Sequence, residues 1–345
     1  MTEENENKDG SSELDRRIFL RRIAIDSSLA AGMIAAGFAL KGEGLPLIDQ
    51  TVPDPGSGLS GGRTIRTKGA EDPFPLKPSP LAVARSDDPA EAARLAMEAL
   101  GGMERFVSQG DRVLIKPNVG WDRREKFAAN TNPDLVASVA RMCIAAGASR
   151  VVVTDSPCNN PVRCFDKSGI KKAVTALEAE VLVPTDRDYV ETDLGGEVLK
   201  TWPVLKVLFD SDVIINLPIA KHHSSAILTM GMKNWYGILG GGKRRGQLHQ
   251  EMALGIAELA EYVRPQLTIL DAYRILLRNG PQGGSLRDTE IRKTVIASAD
   301  PVAVDARGAG LFGLKPEEVP YIPIAASKGL GTADLAAVEI RERGG

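Results

Sequence analysis

Short, almost unbroken apolar runs recur along the chain from about residue 81, separated by stretches whose apolar residues return with helical spacing. The first run, Arg112-Val113-Leu114-Ile115-Lys116, ends at Pro117-Asn118. After it, Thr131 or Asn132 stands where a helix is capped, and Pro133 suits its first turn. Leu135, Val136, Val139, Ala140 and Cys143 then form one apolar stripe, which Gly147 ends. The pattern goes on to predict a strand at Arg150-Val151-Val152-Val153-Thr154, a helix over about 168–177 and a strand over 181–183. A β excursion around 189–209 follows, then a strand at Val213-Ile214-Ile215-Asn216-Leu217 and a helix over about 250–262. Strands at 266–271 and 293–297 come next, and Asp300-Pro301 opens a helix to about residue 311. Continuous β-branched runs alternating with helices predict an α/β fold, a mostly parallel sheet with helices on both faces. The 185–210 excursion leaves room for a division into two lobes.

Five of these strands release polar or ionisable residues at their carboxyl ends: Lys116 and Asn118, Asp155, Asn216 with Lys221 and His222, Asp271, and Asp300. In open α/β sheets this rim is where ligands bind, because strand ends and helix N-termini converge there. Taken singly, Pro-Asn, Ser-Pro and Asp-Pro pairs are ordinary turn formers. Together they predict a shared site.

Before residue 81 the pattern changes. Asp15-Arg16-Arg17-Ile18-Phe19-Leu20-Arg21 is a twin-arginine pattern, followed by a weak apolar run over 23–40 that Asp26, Ser27 and Ser28 dilute. Such a run reads as an export signal rather than a permanent span, which needs roughly 20 strongly apolar residues. Gly37-Phe38-Ala39 offers a cleavage site without a clean Ala-x-Ala, so an uncleaved N-terminal tether stays open. Residues 41–80, rich in Pro and Gly, read as a linker, and 81–340 as the α/β domain. The expected location is the periplasm or the outer face of the cytoplasmic membrane, with the twin-arginine machinery as a partner. That route carries folded clients and raises the expectation of a bound metal or redox group.

Composition narrows the chemistry. A net charge of -2 over 345 residues argues against bulk nucleic-acid binding. Local charge tells more. All three histidines fall within residues 222–249, and the span 221–249 holds five Lys or Arg and no carboxylate. It includes Lys221-His222-His223, Met232-Lys233-Asn234-Trp235-Tyr236-Gly237 and Gly240-Gly241-Gly242-Lys243-Arg244-Arg245. A Gly-rich segment with local positive potential suits a small anionic ligand such as a carboxylate or phosphate. Lys116, Lys221 and Lys233 are expected to hold the anion, or to act as base or Schiff-base nucleophile if desolvated. Asn118 and Asn234 would add neutral donors, and Asp155 and Asp271 would serve as acid, base or metal ligand. The Gly-rich stretch reads as a lid, and Gly280-Pro281-Gln282-Gly283-Gly284 as a second loop over the same rim.

The cofactor stays open between a divalent metal and an iron–sulfur cluster. A metal would draw on His222, Asp155, Asp271 and Asp300. Only one of the adjacent His222 and His223 would face a ligand if their strand continues. Of the three cysteines, Cys143 reads as core. Cys158 and Cys164, in the loop after Asp155, are candidates for cluster or metal binding, for a disulfide, or for two free thiols.

The ordered motifs Ile115-Lys116-Pro117-Asn118, Thr154-Asp155-Ser156-Pro157, Asn216-Leu217-Pro218 with Lys221-His222, Met232-Lys233-Asn234 with Gly237, and Asp300-Pro301-Val302-Ala303-Val304-Asp305 resemble those of the domain of unknown function 362 family. The resemblance spans roughly residues 80–335. It implies a ligand-binding core domain, to which many relatives add a ferredoxin-like module with closely spaced cysteines for iron–sulfur clusters. No such cysteine run occurs in this sequence, so the redox role implied for those relatives is not expected to carry over with the core. The combined expectation is an exported enzyme acting on a small anion with a metal or redox centre. The alternatives are a non-catalytic anion- or metal-binding protein and a maturation factor for a redox enzyme.

Overall fold

The β-branched runs at 113–115, 151–153 and 213–215 lie side by side as the parallel centre of a sheet. The computed structural model describes residues 79–345; the twin-arginine pattern and residues 41–78 of the linker lie outside the described residues. The strands are β1 (Leu81–Arg85), β2 (Arg112–Pro117), β3 (Arg150–Thr154), β4 (Glu180–Leu182), β5 (Tyr189–Asp193) and β6 (Thr201–Leu205). They continue as β7 (Val213–Leu217), β8 (Ile219–His223), β9 (Ile227–Thr229), β10 (Leu267–Leu276), β11 (Thr289–Ser298) and β12 (Ile340–Arg343). The helices are α1 (Pro89–Ala99), α2 (Pro133–Ala145), α3 (Pro161–Lys167), α4 (Ile170–Thr175), α5 (Met252–Val263), α6 (Pro301–Ala309) and α7 (Tyr321–Ser327).

The main sheet runs β12-β1-β11-β10-β7-β2-β3-β4. Pairing is parallel from β10 through β7, β2 and β3 to β4, and β1 runs parallel to β12. The exception is β11, antiparallel to both β10 and β1. The fold is therefore α/β with a mostly parallel sheet. On one face Val113, Ile115, Val151, Val153, Ile215 and Ile269 pack with Leu135 and Val139 of α2 into one core. α6 packs on β10 and β11 from the other face, and α5 lies against α7.

Local chemistry explains the helix starts. The Asn132 side chain accepts from Asp134 N at 2.9 Å ahead of Pro133, and Asp300 Oδ1 accepts from Ala303 N at 2.8 Å ahead of Pro301. The helix expected over 168–177 is the short α4, which starts only after Gly169 at φ +81°; α3 ahead of it was not expected. The excursion after residue 185 is the hairpin β5–β6.

One irregularity shapes the site. Pro218 has no N–H to donate, so the strand is interrupted there and resumes as β8. The Pro218 carbonyl still accepts from Asp271 N at 2.8 Å, which keeps β8 alongside β10. β8 thus extends past the carboxyl ends of β2 and β7 and, paired with β9, forms a wall above them.

Candidate functional site

Above the carboxyl ends of β2 and β3, beside β8, lies a cavity of about 720 Å³. Asn118 reaches it from the end of β2, Asp155 from the end of β3, and Lys221 and His223 from β8. Lys233, Asn234 and Gly237 come from the 3₁₀ turn Lys233–Ile238, and Arg245 from the turn Gly242–His249.

Counting donors and acceptors separates the residues that hold the site together from those left to meet a ligand. Lys116 is fully buried, and all three hydrogens of its ammonium are taken: by Asp155 Oδ1 at 2.6 Å, the Pro117 carbonyl at 2.9 Å and Asn234 Oδ1 at 3.1 Å. Asp155 also accepts from Ser156 N at 3.0 Å and Val119 N at 2.5 Å. Burial lowers the Lys116 pKa, and the Asp155 carboxylate works against that shift. Asn234 is saturated too. Its amide donates to Asn216 Oδ1 at 2.9 Å and the Lys116 carbonyl at 3.1 Å, while its Oδ1 accepts from Lys116 Nζ and from Asn118 Nδ2 at 3.0 Å. Lys116 and Asn216 are register partners on β2 and β7, so Asn234 acts as a brace across two strands. Lys116, Asp155 and Asn234 therefore position the site and have little left for an anion.

The free cationic groups lie elsewhere. Lys221 Nζ donates to Asn118 Oδ1 at 2.9 Å and to the Ala129 carbonyl at 2.6 Å, both neutral partners. Lys233, only 9% exposed, has no hydrogen-bond acceptor and no ion pair among the described residues; its ammonium sits 3.8 Å from the centre of the Tyr236 ring. Burial brings the pKa of each of these two lysines down to about 7. Arg245 donates to the carbonyls of Pro157 at 2.9 Å, Ser156 at 3.1 Å and Tyr236 at 3.3 Å, again with no carboxylate partner among the described residues. Asp155, already engaged, and the exposed Asp186 at the rim are the carboxylates of the lining. The cavity is electropositive.

Two residues that the sequence motifs contain, but to which no role was given, hold this arrangement. Gly237 lies so close that a Cβ there would stand 1.9 Å from Asp155 Oδ1 and 2.6 Å from Lys116 Nζ, and its carbonyl accepts from Ser156 N at 2.7 Å. Asp305 is fully buried and accepts from Gly231 N at 2.6 Å and Met232 N at 2.9 Å, clamping the turn that carries Lys233 and Asn234. Burial raises its pKa to about 7.

Several expected site residues are not brought together. On β8, Lys221 and His223 share the cavity face, whereas His222 points to the other side, where its Nδ1 accepts from Gly280 N at 3.1 Å. His223 lines the cavity in its place. Its Nδ1 accepts from Ser225 N at 3.1 Å and Ala226 N at 3.2 Å, and burial next to Lys233 and Lys221 drives its pKa well below the ordinary value. Asp271 accepts from Asn132 N and Tyr273 N and borders a separate cavity of about 260 Å³; burial lifts its pKa to about 6. Asp300 caps α6 and accepts from Thr332 N, which accounts for both its oxygens. Among the described residues no three His, Cys, Asp or Glu side chains gather as a metal site, so His222, Asp155, Asp271 and Asp300 do not fit a shared ion.

The cysteines separate in the same way. Cys158 is exposed at the cavity, whereas Cys164 is buried on α3 in the core beside Phe165, its thiol pushed up to about 12 by burial. They form no disulfide, and a thiol enclosed in core does not fit as a cluster ligand. Gly240, Gly241 and Gly242 lead into the turn that carries Arg245 across the cavity, and Pro281 reaches the same lining, as expected of the two loops.

Comparison with known proteins follows this geometry. Residues 113–310 match the family described as Domain of unknown function (DUF362). A thylakoid-associated protein of Synechocystis sp. is 32% identical over 252 residues, 71% of this chain and 75% of that protein. Among solved structures, a Thermotoga maritima protein superposes with a TM-score of 0.36 at 9% identity, covering 65% of this chain and 59% of its own. The lactate racemase apoprotein of Thermoanaerobacterium thermosaccharolyticum gives 0.38 at 10% identity, covering 67% of this chain and 56% of its own. This chain thus spans less than two thirds of either structure's length. It belongs to the DUF362 family.

Proposed function

We propose that this DUF362-family protein takes a small organic anion into the cavity above β2 and β3 and transforms it there. The reading is carried by one observation: Lys221, Lys233 and Arg245 converge on a cavity in which no carboxylate pairs with any of them among the described residues. A buried cation without a counter-ion is unfavourable, and an anion at about 4 Å would recover roughly 4 kcal/mol at an effective dielectric near 20. The volume of about 720 Å³ is that of a small-molecule site. Lys221 and Lys233, each with a pKa of about 7, are suited to exchange a proton with a bound substrate near neutral pH. The twin-arginine pattern supports work in the cell envelope, with the N-terminus as export signal or tether. The name of the thylakoid-associated relative supports a setting at a membrane.

Isothermal titration of the purified protein with glycolate, oxalate and inorganic phosphate tests the reading. Saturable binding of at least one anion is expected, weakened about tenfold or more by Lys233→Met and by Arg245→Ala. Absence of binding by all three would refute it.

A further inference from the structure

Lys221 and Lys233 share a cavity and a lowered pKa, yet they are held differently. Two hydrogens of Lys221 are committed to Asn118 Oδ1 and the Ala129 carbonyl. Forming an imine would remove both hydrogens and leave those two acceptors unsatisfied. Lys233 has no such commitments. Its nitrogen lies over the Tyr236 ring with its hydrogens unspent, nine-tenths buried, and it faces the same cavity as Lys221 and Arg245.

We propose that Lys233 is a nucleophilic amine that forms an imine with the carbonyl carbon of a carboxylate-bearing aldehyde or ketone, while Lys221 and Arg245 hold the carboxylate. This rests on the anion-binding reading and adds the substrate class, a 2-oxo acid or related oxo anion. In the step the Lys233 Nζ lone pair adds to the carbonyl carbon. The amine gives up both hydrogens, the carbonyl oxygen leaves with them as water, and a C=N bond replaces C=O. No oxidant or reductant is consumed. Burial keeps the amine free to react: with a pKa of about 7, roughly three quarters of it is unprotonated at about pH 7.5, against about one part in a thousand for an ordinary exposed lysine. Tyr189, whose hydroxyl donates to Ser156 Oγ at 2.8 Å, lies on the same lining.

The test is incubation of the full chain with glyoxylate and cyanoborohydride at about pH 7.5, with the reduced adduct located by peptide mass spectrometry. Glycolate, which has the carboxylate but no carbonyl, serves as competitor and calorimetric ligand. The expected result is an adduct on Lys233 about tenfold or more above that on the exposed Lys172 and Lys200, suppressed by glycolate and lost in Lys233→Arg. An adduct spread evenly over exposed lysines, or one that forms on Lys221 instead, overturns the proposal. So does glycolate binding without any adduct on Lys233, which would leave the anion reading in place. If glycolate, oxalate and inorganic phosphate all fail to bind, that reading fails and the imine with it. Because the adduct is mapped in the unmodified chain, a variant that fails to fold does not blunt the test.

Discussion

Binding of an anion should pull protons into this protein from solution at mildly alkaline pH. With pKa values of about 7, Lys221 and Lys233 are each roughly 9% protonated at about pH 8. An anion seated at about 4 Å contributes roughly 4 kcal/mol at an effective dielectric near 20, equivalent to about three pKa units. That returns a contacted lysine to about 10 and makes it almost fully protonated, an uptake of about 0.9 proton per lysine. At about pH 6 both lysines are already charged and the uptake falls to about 0.1. The assay is titration of glycolate in buffers of different ionisation enthalpy, in which the slope of observed heat against buffer enthalpy counts the protons. The slope should be close to one or two at pH 8, near zero at pH 6, and reduced by about one in Lys233→Met. Affinity should weaken above pH 7 by up to about tenfold per pH unit for each lysine involved. In the unliganded protein the same groups bind fewer protons folded than unfolded between about pH 7 and 10.5, so their contribution makes stability rise with pH across that window. A zero slope at pH 8 alongside clear binding would refute the claim that the anion meets neutral amines.

Three further outcomes follow from the packing. Gly237→Ala places a methyl 1.9 Å from Asp155 Oδ1; it should cost about 1–3 kcal/mol in urea unfolding and abolish anion binding, whereas a stable variant that binds normally would contradict the close approach. Asp305→Ala leaves the Gly231 and Met232 N–H groups without their acceptor; about 1–3 kcal/mol should be lost for each, with weakened anion affinity as Lys233 shifts. Exposed Cys158 should react with iodoacetamide in the native protein and be shielded by glycolate, while buried Cys143 and Cys164 should react only after unfolding; equal labelling of all three would argue against the cavity as drawn.

Much of the fold is readable from one dimension because it rests on near-neighbour physics. Alternation of β-branched runs with capped, apolar-striped segments predicted β2, β3, β7, α2 and α6, and Pro133 and Pro301 marked helix starts that the structure confirms. Strand β11 was found, but not its antiparallel direction, since direction is set by which strand it pairs with rather than by its own residues. The candidate site divides along the same line. Residue type and the local charge of 221–249 were enough to point to Lys221 and Lys233. Tertiary structure alone decided that Lys116 and Asp155 neutralise each other, that Asn234 is fully used as a brace, and that His223 rather than His222 meets the cavity. It also separated Asp271, Asp300 and Cys164 from the residues they were grouped with. The sequence determines which groups can donate, accept or carry charge. Which of those capacities remain unspent depends on partners far apart in sequence, such as Asn132 and Asp271, 139 positions apart, and only packing brings such partners together.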